Sequence, residues 1–126
     1  MSWQSYVDDQ LVATKMVKHA VICGHDGNIW AQSAGFAPSV DELKAFLAKY
    51  SDQDQLAMNG VTINGTKYMY LSSNDKVVRA KKGTSGVHCI KTTQALIVCV
   101  YEDPIVPEQA ATVTEKLGEY LIGVGY

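Results

Sequence analysis

The spacing of turn residues in the second half of the chain restricts its fold more than any other feature. Turn sequences separate short apolar runs at Asn59-Gly60, Asn64-Gly65 and Ser72-Ser73-Asn74-Asp75. The predicted strands cover 67–71, 76–80, 86–91 and 95–101. Their connections are short, and short connections join antiparallel neighbours because parallel strands need a longer crossover. The pattern therefore predicts an antiparallel meander, and the continuously apolar run 95–100 is typical of a central strand covered on both faces.

Helices are predicted at both ends of the chain and once between them. Their expected positions are residues 2–12, about 40–50, and the segment that follows Pro107. The middle helix begins with a capping box, in which Ser39 and Glu42 satisfy free amides of the first turn. A hairpin is expected around Asp26-Gly27, which lies between two apolar runs. These elements indicate an α+β fold with a single antiparallel β-sheet and helices packed on its faces.

Composition limits the class of protein. The chain has 126 residues, of which 47% are hydrophobic, and this is enough to form one domain over 1–126 with its own core. Eleven basic against thirteen acidic residues exclude a polycationic tail that binds nucleic acid or membrane by charge alone. The three cysteines, Cys23, Cys89 and Cys99, lie in apolar runs and are predicted to be buried free thiols. With no signal peptide or apolar membrane-length run, a cytoplasmic location is expected.

Motifs for catalysis are missing from the sequence. It contains no phosphate-binding loop, no dinucleotide-binding glycine pattern, no nucleophile elbow and no zinc-protease motif. The histidines His19, His25 and His88 fall on separate elements, and the adjacent Asp8 and Asp9 point in different directions on a helix. We therefore expect a protein without enzyme activity, cofactor or metal ion.

Aromatic residues gather near the two chain ends. They are Trp3, Tyr6 and Trp30 in the first quarter, and Tyr120 and Tyr126 near the end. One interpretation is ordinary core packing. The other is a docking surface, because large rings at positions where chains usually fray need a partner to order them. Proline-rich segments suit such a surface, since they offer carbonyl acceptors without prolyl N–H donors, and indole N–H and phenol O–H groups are the complementary donors.

Basic residues are concentrated in the middle of the chain. Six of the eleven lie between positions 67 and 91, where Asp75 is the single acid: Lys67, Lys76, Arg79, Lys81, Lys82 and Lys91. Such a run is either a solvated face or a docking site for an acidic protein surface or an anionic lipid headgroup. Nucleic acid is not expected as a partner, because the aromatic and basic groups are separate in sequence and the net charge is −2.

Several segments resemble the profilin family, in the order and spacing of its compact plant, fungal and protist members. They are Met-Ser-Trp-Gln-Ser-Tyr-Val-Asp at 1–8, Trp30-Ala31-Gln32-Ser33-Ala34, Ala80-Lys81-Lys82-Gly83, Gln94-Ala95-Leu96-Ile97, Tyr101-Glu102-Asp103-Pro104 and the segment 115–123. The resemblance covers essentially the whole chain. It implies that the N- and C-terminal helices pack together on one face of the sheet, with shorter helices on the other.

The resemblance also implies partners and sites. It implies a monomeric, cytoskeleton-associated protein that binds monomeric actin, proline-rich segments of actin regulators such as formins, and acidic phosphoinositides. The implied polyproline-binding residues are Trp3, Tyr6, Trp30, Tyr120, Leu121 and Tyr126. The implied actin-binding residues are Val61, Lys76, Arg79, Lys81, Lys82, Lys91, Glu108, Thr112 and Lys116. The implied phosphoinositide-binding residues are Lys76, Arg79, Lys81 and Lys82.

The sequence departs from many relatives at 72–80. Ser72 and Lys76 stand where they have arginines, and Arg79 stands at a usual tyrosine position. Loss of an arginine removes a planar group of donors that lysine does not reproduce. A second hypothesis is therefore an adaptor for proline-rich or lipid ligands that has lost actin binding. A third is an oligonucleotide-binding domain.

Overall fold

The computed structural model describes residues 2–126 and consists of four helices and seven strands. The N-terminal helical segment comprises α1 (Trp3–Ser5), a π-helical stretch (Tyr6–Leu11) and a 3-10 turn (Val12–Thr14). The strands are β1 (His19–Gly24), β2 (Ile29–Gln32), β3 (Val61–Ile63), β4 (Thr66–Ser73), β5 (Val77–Lys82), β6 (Ser85–Lys91) and β7 (Ala95–Glu102). The other helices are α2 (Val40–Ala48), α3 (Gln53–Asn59) and α4 (Pro107–Gly123).

The strands form one sheet in the order β2-β1-β7-β6-β5-β4-β3, and every neighbouring pair is antiparallel. This confirms the predicted α+β fold with a single antiparallel sheet. Strand β7 lies inside the sheet, between β1 and β6, and its residues 95–101 are all buried. The unbroken apolar run is explained by this position, because successive side chains of one strand enter cores on opposite faces.

Two apolar cores lie on the two faces of the sheet. One contains Leu43 and Phe46 of α2 and Leu56 of α3. The other contains Val7 and Leu11 of the N-terminal helical segment together with Leu117 and Leu121 of α4. The terminal helices thus share one face and the shorter helices share the other, as the resemblance implied. Among residues 2–126, no helix is both long and apolar enough to cross a membrane.

The N-terminal helical segment is less regular than the helix predicted over 2–12. Ser2 caps it, since its Oγ accepts a hydrogen bond from the Ser5 N–H at 3.1 Å. The chain then widens into the π-helical stretch, in which Val7 and Leu11 are fully buried. A four-residue apolar spacing buries both side chains in either helix type, so the sequence pattern did not distinguish them. Lys15 ends the segment in a left-handed conformation, with φ 61°.

Helix α3 was not predicted from the sequence. The Asn59-Gly60 turn was interpreted as the start of the meander, with no helix before it. Asp52 caps this helix by accepting the Gln55 N–H at 3.2 Å, and Gly60 ends it with φ 69°. Leu56 is its single buried residue, so no apolar period marked it. The capping box of α2 is confirmed, because Ser39 and Glu42 make both expected hydrogen bonds.

Strand β4 extends further than predicted. Ser72 and Ser73 belong to the strand instead of the turn, and a β-bulge at Leu71 interrupts the pairing with β5. The turn that follows is held by Asn74, whose Oδ1 accepts the backbone N–H groups of Lys76 and Val77 at 2.9 and 2.8 Å. Serine is compatible with both strand edges and turns, and the bulge leaves no period in the sequence.

A glycine sets the distance between α4 and the sheet. A Cβ atom placed on Gly118 would lie 2.6 Å from Cδ1 and 2.8 Å from Cγ2 of Ile90 in β6. Ile90 is buried, so it has little room to move away. Gly118 therefore allows the close approach of α4 that determines where the side chains of this helix lie.

Candidate functional site

Five rings form a continuous cluster at one edge of the molecule, and we call Trp3, Tyr6, Trp30, Tyr120 and Tyr126 the aromatic cluster. Trp3 is at its centre: its ring centroid lies 4.7 Å from that of Trp30, 5.4 Å from that of Tyr6 and 5.2 Å from that of Tyr126. The Tyr6 and Tyr120 centroids are 6.2 Å apart. These tilted and edge-on contacts have the geometry that aromatic pairs favour. The sequence prediction that the terminal segments bring these rings together is confirmed.

The rings come from three elements and from the residues that follow the last of them. Trp3 and Tyr6 lie on the N-terminal helical segment, Trp30 on edge strand β2, Tyr120 on α4, and Tyr126 just beyond α4. Gln4 connects the N-terminal helical segment to β2, because its Nε2 donates to the Gln32 carbonyl at 2.8 Å. The cluster therefore depends on the packing of both terminal segments against the sheet edge.

The turn between β6 and β7 fixes the last residues described. The Tyr126 carbonyl oxygen accepts from Thr92 Oγ1 at 2.7 Å and also from the Gln94 N–H. Gln94 Nε2 donates to the Gly125 carbonyl at 2.8 Å, and the Tyr126 N–H donates to the Leu121 carbonyl at 2.8 Å. This contact was not predicted, since nothing local in the sequence pairs Thr92 or Gln94 with Tyr126.

The cluster presents partly exposed rings over a buried base. Tyr120 and Tyr126 are 53% and 43% exposed, and the other three rings are half-buried. Leu121, which was included among the ligand-contacting residues, is 1% exposed and belongs to the core beneath the rings. It supports the surface instead of forming it. Ordinary core packing therefore accounts for the burial of Leu121, but it does not account for rings that face solvent.

Hydrogen-bond donors accompany the exposed rings. Within residues 2–126, neither indole N–H of Trp3 and Trp30 donates to a protein acceptor. The Tyr6 phenol is protonated at neutral pH, because its pKa, ordinarily 10.0, is raised further, chiefly by the neighbouring Tyr120 side chain. The cluster consequently combines flat apolar faces with available donors, which is what a ligand rich in carbonyl acceptors requires.

A groove of about 420 Å³ runs beside the cluster, between the N-terminal helical segment and α4. It is lined by Tyr6, Asp9, Gln10, Thr14, Val113, Lys116, Leu117 and Tyr120. Lys116 was assigned to the actin-binding residues from the family resemblance. The structure places it in this groove with Tyr6 and Tyr120 of the aromatic cluster, and no basic residue of the strands lines the groove.

The six basic residues of the middle segment do not form one face. Arg79 and Lys81 alternate with Val78 and Ala80, which enter the core beneath α2 and α3, so the two basic side chains lie on the opposite face of β5. Lys91 lies on the α2 side, since its Nζ is 5.7 Å from the centroid of the Tyr50 ring.

Lys76 belongs to the same end of the sheet as Lys91. Its carbonyl accepts the Lys91 N–H at 2.8 Å and also the hydroxyl of Tyr50. Lys81 and Lys82 lie at the other end of the ladder, opposite Gly86 and Ser85. The interpretation of these residues as one basic face was therefore wrong, because strand alternation and the length of the ladder separate them.

Exposed apolar residues accompany Arg79 and Lys81. Met69 pairs with Lys81 across the strands and is 70% exposed, and Leu71, the bulged residue before Ser72, is 48% exposed. We call Met69, Leu71, Arg79 and Lys81 the outer face. Val61, which the resemblance assigned to actin binding, is fully buried in β3 and offers no surface to a partner. Met69 and Leu71 were not predicted from the sequence as surface residues, because their exposure depends on which face of β4 is covered.

A second groove of about 420 Å³ adjoins the outer face. Its lining is Ala57, Met58, Gly60, Lys67, Met69, Tyr70, Lys81, Lys82 and Gly83, and we call it the methionine groove. Met58, at the end of α3, is 79% exposed. Apolar side chains rimmed by lysines form a surface of the kind that partner proteins cover.

Two of the α4 residues assigned to actin binding lie in the first two turns of this helix. Glu108 and Thr112 are exposed, and Thr112 Oγ1 donates to the Glu108 carbonyl at 2.8 Å. Glu115 of the same helix pairs with His88 of β6, with 2.9 Å between Oε2 and Nε2. His88 is the cross-strand partner of Arg79, so this pair connects α4 to the outer face. His88 had been treated as one of three scattered histidines.

The stability of the protein is expected to fall on acidification because of His88. Burial lowers the pKa of this imidazole from 6.5, although Glu115 opposes the shift. As the pH falls below 6.5, His88 is protonated more readily in the unfolded chain than in the folded chain. The free energy of unfolding therefore decreases with decreasing pH. His19 acts in the same direction, since burial lowers its pKa too. Urea unfolding of the wild type and His88→Gln, between about pH 7.5 and about pH 5.5, isolates the His88 contribution. Identical pH slopes in the two proteins would contradict it.

The fold and these surfaces define a class of protein. It is a small α+β domain with two exposed surfaces, an aromatic one at the β2 edge of the sheet and a basic and apolar one near the other edge. Within residues 2–126, no cluster of His, Cys, Asp and Glu side chains is arranged to hold a metal ion. The profilin family model matches residues 1–126, and the chain belongs to the profilin family.

Relatives and solved structures agree with this assignment. Profilin of Drosophila melanogaster is 60% identical over 126 residues, which cover all of both chains. The crystal structure of Acanthamoeba castellanii profilin II is 46% identical, with a TM-score of 0.96 over 99% of this chain and 100% of that one. Mouse profilin IIa in complex with a double repeat from the FH1 domain of mDia1 matches at 20% identity and a TM-score of 0.82 over the whole of both chains, which shows the shared fold. Profilins are non-enzymatic proteins that bind actin and polyproline.

Proposed function

We propose that this protein binds monomeric actin through the outer face and proline-rich segments through the aromatic cluster, and so links actin to proteins that direct its polymerisation in the cytoplasm. The observation that carries the proposal is the separation of the two surfaces. Trp30 lies on β2 and Met69 on β4, which are five strand positions apart in the sheet. This corresponds to roughly 24 Å at the usual strand spacing, so one molecule has room for both ligands.

The proline-rich ligand is proposed to lie across the half-exposed rings. A polyproline helix has flat ring faces and unpaired carbonyl oxygens. Trp3, Tyr6 and Trp30 offer the matching flat surfaces, while their indole and phenol groups offer donors. The mouse profilin that was solved with an FH1 double repeat supports a ligand of this class for the shared fold. Tyr120 and Tyr126 extend the same surface, and Leu121 supports it from below.

The actin monomer is proposed to cover the outer face. Met69 and Leu71 supply apolar contact area, and Arg79 and Lys81 supply positive charge for an acidic partner surface. Glu108 and Thr112 continue this surface onto α4. Ser72 contributes no charge, and Arg79 Nη1 lies 3.4 Å from its Oγ, so the Arg79 side chain is directed across the bulge. Arg79, Lys81 and Lys82 are also the residues through which we propose contact with acidic phosphoinositides.

Binding both ligands explains regulation without catalysis. A protein that covers one surface of an actin monomer hinders spontaneous nucleation. If its other surface is held by a proline-rich nucleator, the monomer is concentrated near the site of assembly, because tethering raises its effective concentration.

The test is a titration of monomeric actin with the purified protein, in the absence and presence of a polyproline peptide, with spontaneous polymerisation followed in parallel. We expect saturable binding, slower nucleation and a ternary complex with the peptide. A folded protein that binds the peptide and leaves actin unaffected would instead establish the adaptor hypothesis. Competition between peptide and actin for one surface would contradict the two-sided arrangement.

A further inference from the structure

The two most exposed large apolar side chains among the described residues are both methionines. Met58 is 79% exposed and Met69 is 70% exposed, and both line the methionine groove. Met16, by comparison, is half-buried beyond the N-terminal helical segment. Among residues 2–126, the most exposed methionine side chains therefore lie together in the methionine groove, which also contains Lys81.

The cysteine thiols are buried, whereas the side chains of Met58 and Met69 are exposed. Cys23, Cys89 and Cys99 are free and fully buried, which confirms the prediction from their apolar surroundings. Burial raises the pKa of Cys23 and Cys99 to about 12 and that of Cys89 well above its ordinary value. Peroxides attack the thiolate form of cysteine, and so these residues resist oxidation at neutral pH. An oxidant that meets the folded protein thus reacts first with methionine.

We propose that Met58 and Met69 are oxidation sites, and that their conversion to methionine sulfoxide by hydrogen peroxide weakens actin binding while leaving polyproline binding intact. In each reaction the sulfur lone pair attacks one peroxide oxygen, an S–O bond forms and the O–O bond breaks. The sulfur loses two electrons, and the hydroxyl group now bonded to sulfur gives its proton to the departing hydroxide, which leaves the sulfoxide and one water. The proposal rests on the proposed function in assigning actin to the outer face.

The change in polarity explains the expected loss. Methionine is a flexible apolar side chain that adapts to a partner surface, and the sulfoxide is polar and must be desolvated on binding. The new sulfoxide oxygen is an acceptor in a groove that is also lined by Lys67, Lys81 and Lys82. These ammonium groups are then drawn toward the oxygen and away from an acidic partner. Trp3 and its neighbours lie at the other edge of the sheet and are unaffected.

Peptide mapping tests the sites without reference to actin. The folded protein is treated with increasing hydrogen peroxide, the peroxide is removed with catalase, and the oxidised residues are identified by mass spectrometry. We expect sulfoxide at Met58 and Met69 before Met16, with the three cysteines still able to react with a thiol reagent after denaturation. Earlier oxidation of Met16 or of a cysteine would overturn the assignment of the sites.

Actin and polyproline binding then test the consequence. Peroxide is removed before actin is added, so that actin itself is not oxidised. We expect about tenfold weaker actin binding by the oxidised protein and unchanged binding of a polyproline peptide. Methionine sulfoxide reductase with dithiothreitol as reductant should restore the affinity for actin.

A matched variant separates this effect from general damage. Met58→Leu/Met69→Leu keeps the apolar volume, so it should bind actin before treatment and retain that binding afterwards, whereas Met16→Leu should remain sensitive. If the double leucine variant also loses actin binding on oxidation, the proposal is wrong. If the untreated wild type does not bind actin, the proposed function fails, and the mapped oxidation sites are judged separately.

Discussion

Trp3→Ala is expected to weaken binding of a polyproline peptide roughly 30-fold, or about 2 kcal/mol, which is typical for removal of a large ring from the centre of a binding surface. Trp3 contacts Tyr6, Trp30 and Tyr126, with every ring centroid within 5.4 Å of its own. Its removal therefore eliminates a ligand-contacting face and also releases the three rings that it positions. Titration calorimetry or intrinsic fluorescence with a polyproline peptide gives the affinity.

The control must distinguish loss of the site from loss of the fold. Tyr120→Ala removes a ring that is 53% exposed and whose aromatic contact is with Tyr6. We expect a smaller decrease in peptide affinity from this variant, with little change in the free energy of unfolding. Actin binding should persist in both variants. If Trp3→Ala binds the peptide as the wild type does, the aromatic cluster is not the proline-binding site.

The aromatic cluster was largely predictable from the sequence, whereas the support beneath it was not. Trp3 and Tyr6 near one end of the sequence and Tyr120 and Tyr126 near the other indicated a shared surface, because the helices that carry them were expected to pack together. The hydrogen bonds from Thr92 and Gln94 to the last residues join positions more than thirty residues apart. No local pattern records such a contact, and the burial of Leu121 follows only from how α4 packs on the sheet.

The opposite surface shows a different limit. The sequence contained the basic residues and the strands that carry them, but it was interpreted as one positive face. The alternation of side chains along β5 places Arg79 and Lys81 on one face of the strand and Val78 and Ala80 on the other. The position of Lys91 depends in addition on the pairing of β5 with β6 and on Tyr50 of the segment after α2. The bulge at Leu71 and the short helix α3, which determine the exposure of Met58 and Met69, leave no periodic signal.

Charge reversal on each side of the sheet turns this separation into a test. Arg79→Glu/Lys81→Glu changes two basic residues of the outer face to acidic ones. Lys76→Glu/Lys91→Glu makes the same change in charge at the Tyr50 end of the sheet. We expect the first variant to bind actin at least about tenfold more weakly at low salt, mainly through slower association, because like charges then meet across the interface.

The two variants have the same net charge, so a general effect of charge would weaken both equally. The outer-face assignment instead predicts that Lys76→Glu/Lys91→Glu retains nearly normal affinity for actin and that both variants bind polyproline. Stopped-flow association at low and high salt should show a smaller difference when screening is strong. Equal losses in both variants would mean that actin contacts both basic regions, as the family resemblance first implied, and that the separation by strand alternation does not define the interface.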